Sequence, residues 1–130
     1  MKKLLPLFLI FLAACGGKDS GPTAAQVAAH AAKAYYDQLL QGDYASFVDG
    51  RYQPNALPES YRQQLITNAK MFVGQEEKEH QGIKAVAVAG ANADTARHVA
   101  NAFLTLTFGD SSKEEVVVPM VEAKGIWYMR

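Results

Sequence analysis

The chain has 130 residues, 49% of them hydrophobic and 20% charged, with thirteen basic side chains against thirteen acidic ones and a single cysteine. This excludes a disordered or collagen-like chain. The balanced charge leaves no basic excess for nucleic-acid phosphates, and one thiol makes neither an internal disulfide nor a cysteine-based zinc cluster. The pattern predicts one α+β domain behind a processed leader.

Met1-Lys2-Lys3 is a positively charged start, and residues 4–14 form an apolar run of eleven, interrupted only by Pro6. A membrane span needs about 20 residues, so the run reads as the apolar region of a signal peptide. Leu12-Ala13-Ala14-Cys15 resembles the lipobox of bacterial lipoproteins: a branched apolar residue, two small residues and the cysteine that is lipidated. The small side chains let a peptidase approach the backbone. The resemblance implies that the signal peptidase recognises Leu12, Ala13 and Ala14 and removes residues 1–14. Cys15 then becomes the first residue and carries a diacylglyceryl thioether with, usually, an amide-linked acyl chain. One myristoyl-sized chain binds a bilayer reversibly, but each buried CH₂ adds about 0.8 kcal/mol, so two or three chains hold the protein there. Gly16 follows the cysteine, where an aspartate retains lipoproteins at the inner membrane of enteric-type bacteria. The implied location is therefore the outer membrane, facing the periplasm, with exposure at the cell surface a second option. Losing Lys2 and Lys3 lowers the thirteen basic groups to eleven against thirteen acidic ones, a formal −2. That charge does not attract anionic headgroups, so the lipid does the anchoring.

Residues 15–22 contain three glycines and no large apolar side chain, and read as a tether reaching at most roughly 25 Å. The domain occupies 23–130. Thr23 and Gln26 have capping-box spacing and open a helix over 24–41, with Val27, Ala31, Ala34, Tyr35 and Leu39 as its apolar stripe and Gly42 as a left-handed stop. Asp43 caps a short second helix through Val48, and 51–57 is a loop. Pro58-Glu59 suits the start of a third helix, which carries Tyr61, Leu65, Ala69 and Phe72 inward to about residue 73; Gly74 interrupts it, and 75–80 adds a solvated turn or two.

Beyond Gly82 the apolar period changes from 3.6 to 2. Strands are predicted over 83–88, 97–108, 113–122 and 125–130, with turns at 90–94, 109–112 and 123–124. The even positions Ala100, Ala102, Leu104, Leu106 and Phe108 are uniformly apolar and form the core face. Pro119 cannot donate to a ladder and marks an edge or a bulge. Pairing Met120 with Trp127 and Val118 with Met129 puts both residues of the last strand on the core face, and a one-residue bulge near Gly109 brings Leu104 and Leu106 into line.

The long first helix ending in Gln41-Gly42-Asp43-Tyr44, two further helices, Gly82-Ile83-Lys84 opening a four-stranded sheet and a terminal Gly-x-Trp-Tyr strand resemble the nuclear transport factor 2-like, or cystatin-like, α+β fold. Within it they are similar to a lipoprotein branch related to lumazine-binding-like domains of unknown function. The resemblance implies N-terminal helices packed on a curved four-stranded antiparallel sheet, a cone sometimes open to a pocket. No catalytic signature travels with it.

The sheet face opposite the core carries Val99, Phe103, Val117, Val121, Ile126 and Tyr128, too apolar for a solvent surface. A homodimer or an envelope protein on Phe103, Val117, Val121, Ile126 and Tyr128 is the expected partner. His30, His80 and His98 lack metal-ligand spacing, so no metal is expected, and no cofactor motif is present. His98 shares the parity of Ala100 and is expected at the open end of the cone with Tyr35 and Tyr36, the candidate pocket. Related isomerases and dehydratases pair a carboxylate or histidine with tyrosines, and Tyr35, Tyr36, Asp37 and His98 are the only pieces of that kind here. The expected role is a binding or interaction module, with a small-ligand carrier or pocket enzyme as the alternative.

Overall fold

The computed structural model describes residues 21–130. The leader, the lipobox with Cys15 and residues 16–20 of the tether lie outside the described residues. Helix α1 (Ala24–Leu40) starts with the capping box: the Thr23 hydroxyl accepts from the Gln26 amide at 3.1 Å, and Gln26 Oε1 accepts from the Thr23 amide at 2.8 Å. It ends at Gly42, φ +86°, where the Asp43 amide donates to the Gln38 carbonyl and that of Gly42 to Leu39, the two reverse bonds of a Schellman motif. The buried stripe differs from expectation. Ala28, Ala29, Ala32 and Leu39 are buried, whereas Val27 and Ala34 are exposed. The alanines share one core cluster with Ala100 and Ala102 of the sheet, with Ala91 and Ala93 packed against it. Small residues on both sides let helix and sheet approach closely; a valine in that position would hold them apart.

Helix α2 (Tyr44–Asp49) is capped by Asp43, whose carboxylate accepts from the Ser46 amide at 3.2 Å. Residues 50–52 then run beside the last strand. The Met129 amide donates to the Gly50 carbonyl at 2.8 Å and the Tyr52 amide to the Met129 carbonyl at 2.7 Å, so that sheet edge is covered.

Helix α3 (Glu59–His80) is about two turns longer than its apolar stripe and passes through Gly74 without a break. A Cβ on Gly74 would meet nothing within 4 Å, so the glycine weakens the helix only by its propensity, about 1 kcal/mol. Gly74→Ala is expected to raise the unfolding free energy by about that amount in urea titration. The helix stops at Gln81, φ 64°, followed by Gly82, φ 87°. Of the expected inward residues only Ala69 is buried; Tyr61 and Phe72 are exposed.

The sheet is an antiparallel meander in the order β1 (Ile83–Asp94), β2 (Val99–Phe108), β3 (Lys113–Ala123) and β4 (Ile126–Met129). Strand β1 is twice its predicted length. The 90–94 segment is strand, with Ala91 opposite Ala102 and Ala93 opposite Ala100, and a bulge between Val88 and Gly90 absorbs the change of register. The turn falls instead on residues 95–98. The β2–β3 connection has Ser111 in the left-handed region, φ 75°, and Leu104 pairs with Val116 and Ala102 with Val118, the expected alignment of faces, reached without a register shift within the ladder. The last hairpin turns on Lys124 and Gly125, φ 53° and 81°, a type I′ turn one residue later than predicted. Met120 therefore pairs with Met129 and Glu122 with Trp127. The two-residue slip keeps every side chain on its expected face, since faces alternate with period 2. Pro119 lies just beyond the β4 ladder, where its carbonyl accepts from Arg130 at 2.9 Å. The even positions of β2 are all buried, and with Met120, Trp127, Met129 and the α1 alanines they fill the cone.

Candidate functional site

Helices α1, α2 and α3 diverge and leave a cleft of about 380 Å³ beside the filled core. Leu39, Phe47, Val48, Leu65, Ala69 and Phe72 form its apolar walls. Three polar side chains reach it: Tyr36 from α1, Arg51 from the 50–52 segment and Asn68 from α3. The Tyr36 ring meets Phe47 edge-on at 5.4 Å between centroids. Burial pushes the Tyr36 phenol up, the Arg51 guanidinium pulls it partly back, and Glu114 adds to the rise. The phenol thus stays protonated at neutral pH, a hydrogen-bond donor. Arg51 is the only charged residue lining the cleft. Its Nη1 donates to the Arg130 carbonyl at 2.8 Å, and it joins none of the ion pairs among the described residues.

On its other side Arg51 also lines an open groove of about 420 Å³. Tyr52 and Tyr128 form one wall, ring centroids 5.9 Å apart, with Lys124 beside them. Arg62 grips Asp49 with two hydrogen bonds of 2.9 Å, and this holds the Asp49 carboxyl below the usual carboxylate range. The pair ties α2 to the first turn of α3.

The residues singled out in sequence do not converge. Tyr36 lines the cleft. The Tyr35 hydroxyl instead donates to the Trp127 carbonyl at 2.6 Å and fastens α1 to β4; burial, then neighbouring Tyr128, push its phenol up. Asp37 pairs with Lys33 at 2.8 Å. His98 is not core-facing: because β1 continues to Asp94, His98 falls in the turn, φ 59°, exposed, with Nδ1 3.3 Å from Glu122. Arg51 and Asn68 escaped the sequence reading, since a loop arginine and a helical asparagine carry no periodic signal. The outer sheet face does carry Phe103, Val117, Val121, Ile126 and Tyr128, with Val117 55% and Ile126 51% exposed. Among the described residues no group of three or more histidine, cysteine or carboxylate side chains comes together to hold a metal ion, and no helix is long and apolar enough to cross a membrane.

His80 is the last residue of α3 rather than part of a separate charged turn. Its Nδ1 lies 3.0 Å from Asp110, and its ring sits 5.0 Å from that of Phe108. The Asp110 bond, assisted by Glu76 and Glu79, raises the His80 pKa above 6.5. Hydrogen bonds from Ser112, then His80, lower that of Asp110 to about 2. Stability from the raised histidine is complete below pH 6.5 and lost as pH rises through its folded value; that from the lowered aspartate is complete above 3.8 and lost as pH falls towards 2. The clasp is strongest between these limits. The Tm of the wild type is expected to fall from pH 6 to pH 8 relative to that of His80→Gln; parallel profiles would refute the assignment.

No protein-family model matches the chain, and no curated protein matches its sequence. Solved structures do. A protein of Campylobacter jejuni with the provisional name NTF2-like transpeptidase superposes with a TM-score of 0.61 at 13% identity, over 75% of this chain and 92% of that one. A SEC-C motif containing protein from Rhodopseudomonas palustris superposes with a TM-score of 0.53 at 13% identity, over 76% of this chain and 71% of that one. At this identity the likeness speaks of architecture alone: the chain has the nuclear transport factor 2-like α+β fold, helices packed on an open four-stranded antiparallel sheet.

Proposed function

We propose that the protein is a lipoprotein tethered to the outer membrane through an acylated Cys15, and that its domain works there as a binding module. The observation that carries the reading is an order of parts: an eleven-residue apolar run, Leu12-Ala13-Ala14-Cys15, a short glycine-containing tether, and then the Thr23 cap of a folded body. Labelled palmitate is expected to enter the wild-type protein and not Cys15→Ser, and the variant is expected to leave the membrane fraction. Equal fractionation of the two would refute the anchor.

A binding role is supported by how the candidate acid–base groups are engaged. Tyr35 holds β4, Asp37 holds Lys33, and His98 sits with Glu122 in an exposed turn, so these groups do not face a common space as a proton-abstracting pair. The isomerase- or dehydratase-like alternative would need those groups together. The apolar outer face, centred on Phe103 and Val117, is the proposed seat of a second copy or an envelope protein. In-cell crosslinking from that face, followed by mass spectrometry, separates the two; a monomeric sedimentation mass at tens of micromolar argues against the second copy.

A further inference from the structure

We propose that the α1–α2–α3 cleft binds a fatty-acid-type amphiphile, its single hydrocarbon chain between the helices and its carboxylate at Arg51. This rests on the reading of the domain as a binding module and is independent of the lipid anchor. The walls are hydrocarbon and aromatic, and every polar group that reaches the cleft can donate. The Tyr36 phenol is kept protonated, Asn68 Oδ1 is occupied by Gln64 Nε2 at 2.9 Å and leaves its NH₂ available, and Arg51 carries the one formal charge. No carboxylate lines the cleft, and Glu114, whose charge reaches the Tyr36 phenol, lies outside that lining, so the three donors have no anionic partner within the cleft. An acidic head on an apolar body is the chemistry this charge pattern complements, because an ionised carboxylate leaves water only for a cationic or hydrogen-bonding partner. The volume of about 380 Å³ is near the lower end of ligand pockets, about 300–1,000 Å³, and suits one chain rather than two. Arg51 also lines the neighbouring groove, so the head at its guanidinium stays within reach of solvent while the chain lies along the apolar walls of the cleft.

The test uses the full chain in phosphatidylcholine nanodiscs with a diazirine-bearing dodecanoate, the label being mapped by mass spectrometry. Labelling is expected on α3 around Leu65, Ala69 and Phe72. Dodecanoate is expected to compete at least tenfold better than dodecanol, and affinity to rise about fourfold for each added methylene until the cleft is full. Arg51→Gln is expected to reduce labelling tenfold or more with an unchanged Tm, and Ala69→Leu to block it by filling the cleft. Should Ala69→Leu fail to fold, Arg51→Gln and the alcohol competitor decide the matter. Label confined to residues 1–22 or to the outer sheet face, equal competition by the alcohol, or indifference to Arg51→Gln would overturn the proposal. Competition by lysophosphatidylglycerol but not by dodecanoate would overturn the carboxylate assignment. Each of these outcomes leaves palmitate incorporation at Cys15 untouched, so the two readings fail separately.

Discussion

Leu104→Ala is expected to lower the unfolding free energy by about 3–5 kcal/mol, the upper part of the range for truncating a buried leucine. Leu104 is 0% exposed on an inner strand, opposite Val88 on one side and Val116 on the other. It shares the cluster with Leu106, Met120 and the α1 alanines, whose short side chains have no reach with which to close the void. Domains of this kind are stable by about 5–15 kcal/mol, so the variant would approach the edge of folding at ordinary temperature. Val117→Ala, on the opposite face and 55% exposed, is expected to change stability by less than about 0.5 kcal/mol. Urea titration of both variants checks the contrast, and similar losses would mean that the faces are assigned wrongly.

Gly50→Ala is expected to cost about 1–3 kcal/mol, opposite in sign to Gly74→Ala, although both add one methyl group next to or within a helix. A Cβ on Gly50 would penetrate the Tyr35 ring, and neither partner can retreat. The Tyr35 hydroxyl is held by the Trp127 carbonyl at 2.6 Å, the Gly50 carbonyl by the Met129 amide at 2.8 Å, and the Gly50 amide by Ser46 at 3.0 Å. The backbone φ of −75° is ordinary, so the requirement for glycine comes from close approach and not from conformation. In a Tyr35→Leu background the added cost is expected to shrink by at least about 1 kcal/mol, a coupling that a double-mutant cycle measures. An unchanged cost in that background would place the strain elsewhere.

The likelihood of reading each element from sequence tracked how local its cause is. Caps at Thr23 and Asp43 act within a few residues and were legible, as was the alternation of β2, whose even positions all face the core. The bounds that shifted depend on distant partners. Gly74 resembled a stop, yet α3 continues to where His80 meets Phe108 and Asp110, thirty residues away in the chain. Residues 90–94 have turn-like composition, yet they stay extended because Asn101, Ala102 and Phe103 offer a ladder to pair with. That extension moved the turn onto His98 and took it out of the core register.

The candidate site follows the same division. The sequence by itself determined the order of helices before strands and the identity of the two sheet faces, both set by short-range periodicity, and the proposed anchor rests on the adjacent residues 12–15 alone. Only the tertiary structure decided which flank of the alanine-rich α1 is buried, because several stripes of that helix are equally small and the choice depends on the alanines it meets. Tertiary packing alone also brought Arg51, Tyr36 and Asn68 from three separate segments around one cleft. Their meeting depends on the angle at which the three helices diverge, and no spacing along the chain encodes that angle.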